Sequence, residues 1–221
     1  MSTTQTGPTE REARKVAEAA RETEWTKPSF GKELFLGRLR LDLVDPWPTN
    51  SPEQVAAGEA FLDRLRPYVE TIDGATIERE ASIPDDVFVG LAELGAFGMK
   101  LPTSYGGLGL SHLYYCKALT LAGSASGSIG TLLSAHQSIG VPQPVKMFGN
   151  DAQKQKYLPR VAAGEVSAFL LTEPDVGSDP ARLGSSATPV EGGYLLNGVK
   201  LWATNGPIST LLVVMARVPK S

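Results

Sequence analysis

The chain has a single cysteine, Cys116, in 221 residues, so no internal disulfide is possible. A lone thiol and the lack of a secretory leader point to a reducing, intracellular setting. Cys116 sits in the apolar, helix-spaced run Leu113-Tyr114-Tyr115-Cys116-Lys117. It is expected to be buried and inert, with a thiol nucleophile as the alternative. There is no basic excess: 21 Lys and Arg stand against 24 Asp and Glu, a net charge of −3. That balance argues against nucleic acid as a partner. No run suits a membrane-spanning helix, which needs roughly 20 predominantly apolar residues. The nearest case, Ala118 to Val145, contains no Asp, Glu, Lys or Arg. It is rich in Ala, Gly and Ser, carries His136 and Gln137, and ends at Pro142 and Pro144. It reads as a core helical region, packed on all sides or lining an internal pocket. No internal repeat is visible. Gly106, Gly107 and Gly109 follow no clear strand and match no phosphate-binding loop, so they read as a turn.

What is present is an ordinary globular balance, 42% hydrophobic and 20% charged, long enough for one or two domains. Residues 1–27 set five bases against five glutamates and read as a solvated arm. Their acids argue against a mitochondrial transit peptide. Lys27 to Val44 is an amphipathic piece carrying Phe30, Leu34, Phe35, Leu39, Leu41 and Leu43, expected to dock on a larger body. Asp45-Pro46-Trp47-Pro48 stops regular structure there. Ser51-Pro52-Glu53-Gln54 has the form of a helix start, and the helix is expected to reach Thr71. Further helices are expected from Pro84 to Gly95, from Ser111 through the uncharged region to Phe148, and from Asn150 to Gly164.

After Gly164 the period changes. Val166 to Thr172 is apolar and partly β-branched or aromatic, which suits a buried strand. Glu173-Pro174-Asp175-Val176-Gly177-Ser178 then turns polar and tight. Pro174 holds Glu173 extended, Gly177 leaves room for a ligand near the backbone, and Ser178 offers a hydroxyl. Such an end can clamp a polar, planar ligand; an ordinary strand-to-loop switch is the alternative. Ser186–Val190, Tyr194–Leu196, Val199–Trp202 and Ser209–Ala216 read as further strands, with turns at Gly192-Gly193, Asn197-Gly198 and Asn205-Gly206. Asn197-Gly198 is the strongest hairpin signal. The class is α+β, a helical block followed by an antiparallel meander. Three segments are expected: the arm (1–27), a helical domain (28–165) and the start of a β domain (166–221). Leu211–Met215 is apolar on both faces, as in a central strand, yet only a few residues follow it. A fragment of a longer protein is therefore expected.

Several ordered motifs together resemble the acyl-CoA dehydrogenase family. They are Ala168-Phe169-Leu170-Leu171-Thr172-Glu173-Pro174, Gly177-Ser178-Asp179, and Tyr194-Leu195-Leu196-Asn197-Gly198-Val199-Lys200-Leu201-Trp202-Ala203-Thr204-Asn205-Gly206. Ile83-Pro84, Tyr105-Gly106-Gly107-Leu108-Gly109, Ala135-His136-Gln137 and Gln153-Lys154 with Lys156-Tyr157-Leu158-Pro159 agree with it. Lys32-Glu33-Leu34-Phe35-Leu36-Gly37 resembles the very-long-chain branch. The resemblance covers residues 27–217.

The resemblance implies a helical domain, an incomplete β domain and an absent C-terminal helical bundle. It implies FAD as cofactor, with Phe169, Leu170, Leu171 and Thr172 along the flavin ring. Gly177 and Ser178 would close the loop, with Ser178 near the CoA part of the substrate. Trp202 and Ala203 would flank the ring, and Thr204 would offer its hydroxyl to flavin N5. Gly140 would line the acyl pocket. The activity implied is α,β-dehydrogenation of medium-to-long-chain fatty acyl-CoA in β-oxidation, with electrons passing to an electron-transfer flavoprotein. Alternatives within the fold are an acyl-CoA oxidase or flavin monooxygenase; an alternative of a different functional class is a non-catalytic, flavin-binding assembly or scaffold protein. No residue here matches the family's glutamate base, which is expected beyond Ser221. Glu173 belongs to the FAD loop and is not assigned as base. The chain alone is expected to be inactive and to hold FAD poorly. A homodimer or homotetramer is implied for the full-length protein. The implied setting is the bacterial cytoplasm, or the mitochondrial matrix if the source is eukaryotic.

Overall fold

The computed structural model describes residues 28–47 and 49–218; the arm expected over 1–27 lies outside the described residues. The helices there are α1 (Phe30–Phe35), α2 (Pro52–Glu70), α3 (Gly74–Glu80), α4 (Asp85–Glu93), α5 (His112–Ala125), α6 (Gly127–Ser138), α7 (Pro142–Phe148) and α8 (Asp151–Ala162). The strands are β1 (Ser167–Leu170), β2 (Ser186–Val190), β3 (Gly193–Asn197) and β4 (Leu211–Val214). Contacts divide the chain into two compact units that interleave in sequence. A helical unit takes residues 51–172 and 200–215, and a hairpin unit takes the described residues before 51, 173–199 and those from 216 on.

In the helical unit the expected start signals act as capping boxes. The Ser51 hydroxyl accepts the Gln54 N–H at 3.3 Å, and the Gln54 side chain accepts the Ser51 N–H at 2.9 Å. Asn150 and Gln153 make the same reciprocal pair for α8. Gly95 and Gly164 end α4 and α8 at φ of +82° and +105°, where a side chain would strain the backbone. Helix α3 was not foreseen; Asp73 caps it by accepting the Thr76 N–H. The uncharged region is three helices. Ser126 turns extended between α5 and α6 and caps the latter, and Pro142 opens α7. The core gathers between α2, α4, α5 and α6 around Phe61, Leu65, Leu91, Phe97, Ile129 and Leu133, none more than 2% exposed. Cys116 is exposed, contrary to expectation. The buried stripe of α5 runs through Tyr115, Ala118 and Ala122, and Cys116 sits one residue off it.

β1 and β4 pair in parallel, Ser167 opposite Leu211 and Leu170 opposite Val214. The chain between them returns to the start of β1, where the Thr210 N–H donates to the Val166 carbonyl at 3.1 Å. That return overturns the simple meander, while the α+β class with helices before strands holds.

In the hairpin unit, β2 and β3 pair antiparallel across Glu191-Gly192, with Gly192 at φ +78°. Asn197 is paired with Ser186 inside this ladder, so Asn197-Gly198 does not turn the expected hairpin. Ser185 fills the place where a Cβ on Gly198 would lie, and no strand forms over 199–202. Helix α1 has no buried residue, and Phe35 is almost wholly exposed.

Candidate functional site

In the helical unit the predicted ligand residues gather at the end of β1. Phe169 and Leu170 are its last two residues, half-buried, and Leu171 and Thr172 follow directly. Their carbonyls anchor the chain that returns from the hairpin. The Leu171 carbonyl accepts the Lys200 ammonium at 3.1 Å, and the Thr172 carbonyl accepts the Leu201 N–H at 2.8 Å. Trp202, Ala203 and Thr204 therefore start beside the end of β1. A second anchor follows at once: the Asn205 side-chain amide donates to the carbonyls of Leu132 (3.0 Å) and Ser167 (3.4 Å). Between the anchors Trp202 takes a left-handed backbone, φ 55°, with its indole 87% exposed. That conformation is unfavourable for a bulky residue by roughly 1–2 kcal/mol, so its surroundings must impose it. Thr204 is exposed and, with Glu78, Ser128, Thr131, Leu132 and Asn205, lines a cleft of about 440 Å³.

Gly140, assigned from the resemblance to the acyl pocket, is buried beyond the end of α6. A Cβ there would come 2.4 Å from Ser167 Oγ and 2.5 Å from the His136 carbonyl. Sequence reasoning did not assign roles to His136 and Ser167. His136 Nδ1 accepts the Ser167 N–H at 3.1 Å, and Ser167 Oγ accepts the Val141 N–H at 3.1 Å. Full burial depresses the imidazole to a pKa of about 4, and the ring is neutral near pH 7. The available signal was a histidine inside an otherwise uncharged run.

In the hairpin unit, Glu173 and Val176 close a tight turn through reciprocal backbone bonds of 2.9 and 3.1 Å. Gly177 and Ser178 follow on its exposed side, and a Cβ on Gly177 would meet nothing within 4 Å. The buried Glu173 carboxylate accepts the N–H groups of Gly184 (2.6 Å) and Ser185 (3.0 Å). A carboxylate so engaged is a loop anchor, in keeping with its not being assigned as a base. Glu173→Gln presents an NH2 to one of those donors. It is expected to cost about 2 kcal/mol, read from the urea midpoint. An unchanged midpoint would refute the anchor role.

Residues 54–165 match the acyl-CoA dehydrogenase N-terminal domain, and residues 168–221 match its middle domain. The probable acyl-CoA dehydrogenase FadE10 of Mycobacterium tuberculosis is 58% identical over 98% of this chain and 34% of its own length. The mouse mitochondrial very long-chain specific acyl-CoA dehydrogenase is 41% identical over 86% of the chain and 30% of its own length. The chain thus spans about a third of the curated relatives it matches. A Mycobacterium smegmatis glutaryl-CoA dehydrogenase, solved in complex with FADH2, superposes with a TM-score of 0.65 at 28% identity, over 76% of this chain and 43% of that one. With both domain matches covering most of its length, the chain belongs to the acyl-CoA dehydrogenase family.

Proposed function

We propose that the chain is the N-terminal part of an FAD-dependent acyl-CoA dehydrogenase acting on medium-to-long-chain fatty acyl-CoA. Its electrons would go to an electron-transfer flavoprotein. The observation that carries this reading is the Trp202–Thr204 segment, strung beside the end of β1 with its indole and hydroxyl exposed. A flat apolar face next to a hydroxyl donor suits a planar ring with polar edges. FAD fits this set and, when bound, supplies the acceptor for the substrate's β-hydride. Phe169, Leu170, Leu171 and Thr172 offer backbone and apolar surface along the ring. Trp202 and Ala203 flank it and exclude water, and Thr204 donates its hydroxyl at N5. In the hairpin unit, Gly177 and Ser178 offer open backbone and a hydroxyl, which suits a polar ligand. No residue of this chain is assigned as the base that takes the α-proton. The mycobacterial relatives support a bacterial cytoplasmic setting, and a homodimer or homotetramer completes the reading.

The test is anaerobic titration of the purified flavoprotein, as its gene encodes it, with a series of acyl-CoA lengths. Bleaching by medium and long chains is expected. Preference for butyryl-CoA would overturn the chain-length reading, and no bleaching with any length would overturn the dehydrogenase. Rapid reoxidation by oxygen with release of peroxide would favour an oxidase.

A further inference from the structure

We propose that His136, Ser167 and Asn205 form one positioning device that sets Trp202 and Thr204 against β1. The proposal deepens the FAD reading and rests on it for the ligand involved. Its geometry lies wholly within the helical unit.

The segment 202–204 is held at one end by β1 and at the other by the residues that follow it. Two residues beyond β1 the Leu201 N–H binds the Thr172 carbonyl; at the start of β1 the Asn205 amide binds the Ser167 carbonyl. Three residues therefore bridge two anchors that lie five residues apart along the chain. Asn205 itself takes the left-handed conformation, φ 66°, at the end of the segment. There its one NH2 group serves two carbonyls, that of Leu132 on α6 and that of Ser167 on β1. Ser167 is fixed in turn: its N–H reaches His136 Nδ1, and its hydroxyl takes the Val141 N–H and lies 3.0 Å from the same nitrogen. Because Nδ1 accepts the Ser167 N–H, the ring proton is on Nε2, which is buried. Phe97 meets the ring edge-on at 5.2 Å. One neutral histidine thus orients the strand whose carbonyl holds Asn205, and Asn205 holds the strained turn that carries Trp202 and Thr204.

Two substitutions separate the amide bridge from the backbone conformation, because Gly and Asp both accept a left-handed backbone. Asn205→Gly removes the donors. Asn205→Asp sets a carboxylate against two carbonyl oxygens. The measurement is amide hydrogen exchange across residues 200–206, in flavin-free protein as its gene encodes it. Wild type is expected to exchange slowest, the Gly variant several-fold faster, and the Asp variant roughly tenfold faster or more, with α2, α5 and α6 unchanged. Acidification should restore the Asp variant alone, since a protonated carboxyl donates. His136 on α6 and the carboxylate of Glu78 in the adjoining cleft are the other ionisable groups nearby, and the Gly variant at each pH corrects for both. If the Asp variant fails to fold, the Gly variant decides. Unchanged exchange in the Gly variant, or an Asp variant as well protected as Gly at neutral pH, overturns the device. In flavin-loaded protein, Asn205→Gly should shift the flavin absorption envelope and lower kcat with KM held. An unmoved envelope and kcat would overturn the link to the ligand. Exchange as expected in a protein that takes up no FAD would uphold the brace and sink the FAD reading, so the two failures are told apart.

Discussion

Gly140→Ala is expected to destabilise the protein by more than about 3 kcal/mol, whereas Gly127→Ala, at the start of α6, is expected to be neutral or slightly stabilising. Neither glycine has a left-handed backbone, so alanine can adopt both conformations. In both places the stiffer unfolded chain favours alanine by about 0.4–1 kcal/mol. The difference is space. A Cβ at Gly127 meets nothing within 4 Å. At Gly140 it meets Ser167 Oγ at 2.4 Å, the His136 carbonyl at 2.5 Å and the Ala135 carbonyl at 3.2 Å. Two of these are backbone atoms and cannot rotate away. Ser167 Oγ is held by the Val141 N–H and lies beside His136 Nδ1. Relief requires moving the end of α6 away from β1, which breaks those bonds. Ser167→Ala in the Gly140→Ala background should recover only part of the loss, because the His136 carbonyl remains. Urea denaturation of the single and double variants decides. If Gly140→Ala is as well tolerated as Gly127→Ala, the close packing is not what requires glycine. A stable variant with altered chain-length preference would return Gly140 to the acyl pocket.

Much of the helical unit was legible because its signals are local. The capping boxes at Ser51 and Asn150 and the stops at Gly95 and Gly164 lie within one turn of the structure they specify. The strands were less legible because their pairing is not local. Asn197-Gly198 has the local chemistry of a hairpin, but Asn197 is claimed by Ser186 and Gly198 by close approach to Ser185. The parallel β1–β4 pair depends on a return over about forty residues, which no short pattern announces. The predicted residues at the end of β1 and at Trp202–Thr204 do lie on chain segments bound to each other. What holds them was not legible. His136, Ser167 and Asn205 are far apart in sequence, and only their shared hydrogen bonds single them out.

Acidification is expected to remove about 3 kcal/mol of stability through His136 alone, before the carboxylates contribute. The folded protein holds this ring neutral because full burial disfavours the imidazolium, with a pKa of about 4 against an ordinary 6.5. Protonation would also place an N–H at Nδ1 against the Ser167 N–H that it accepts. Between these two pKa values the unfolded chain binds a proton that the folded chain refuses, so stability falls as pH falls. The contribution is complete above pH 6.5. It declines by up to about 1.4 kcal/mol per pH unit below that, and it is exhausted near pH 4. The carboxylates act in another window. Asp73, beside Thr76, and Glu165, paired with Arg160, have pKa values lowered from 3.8 and 4.5, so their contributions are lost only at lower pH. The interval from pH 6.5 to 4.5 therefore reports on the histidine. His136→Asn retains an acceptor near the Nδ1 position and cannot titrate. It should start less stable, having lost the edge contact with Phe97, and should show little slope across that interval. Urea midpoints measured every half unit of pH provide the comparison. A flat wild-type profile, or an equal slope in His136→Asn, would mean that the acid sensitivity arises elsewhere and that the neutral imidazole is not what ties α6 to β1.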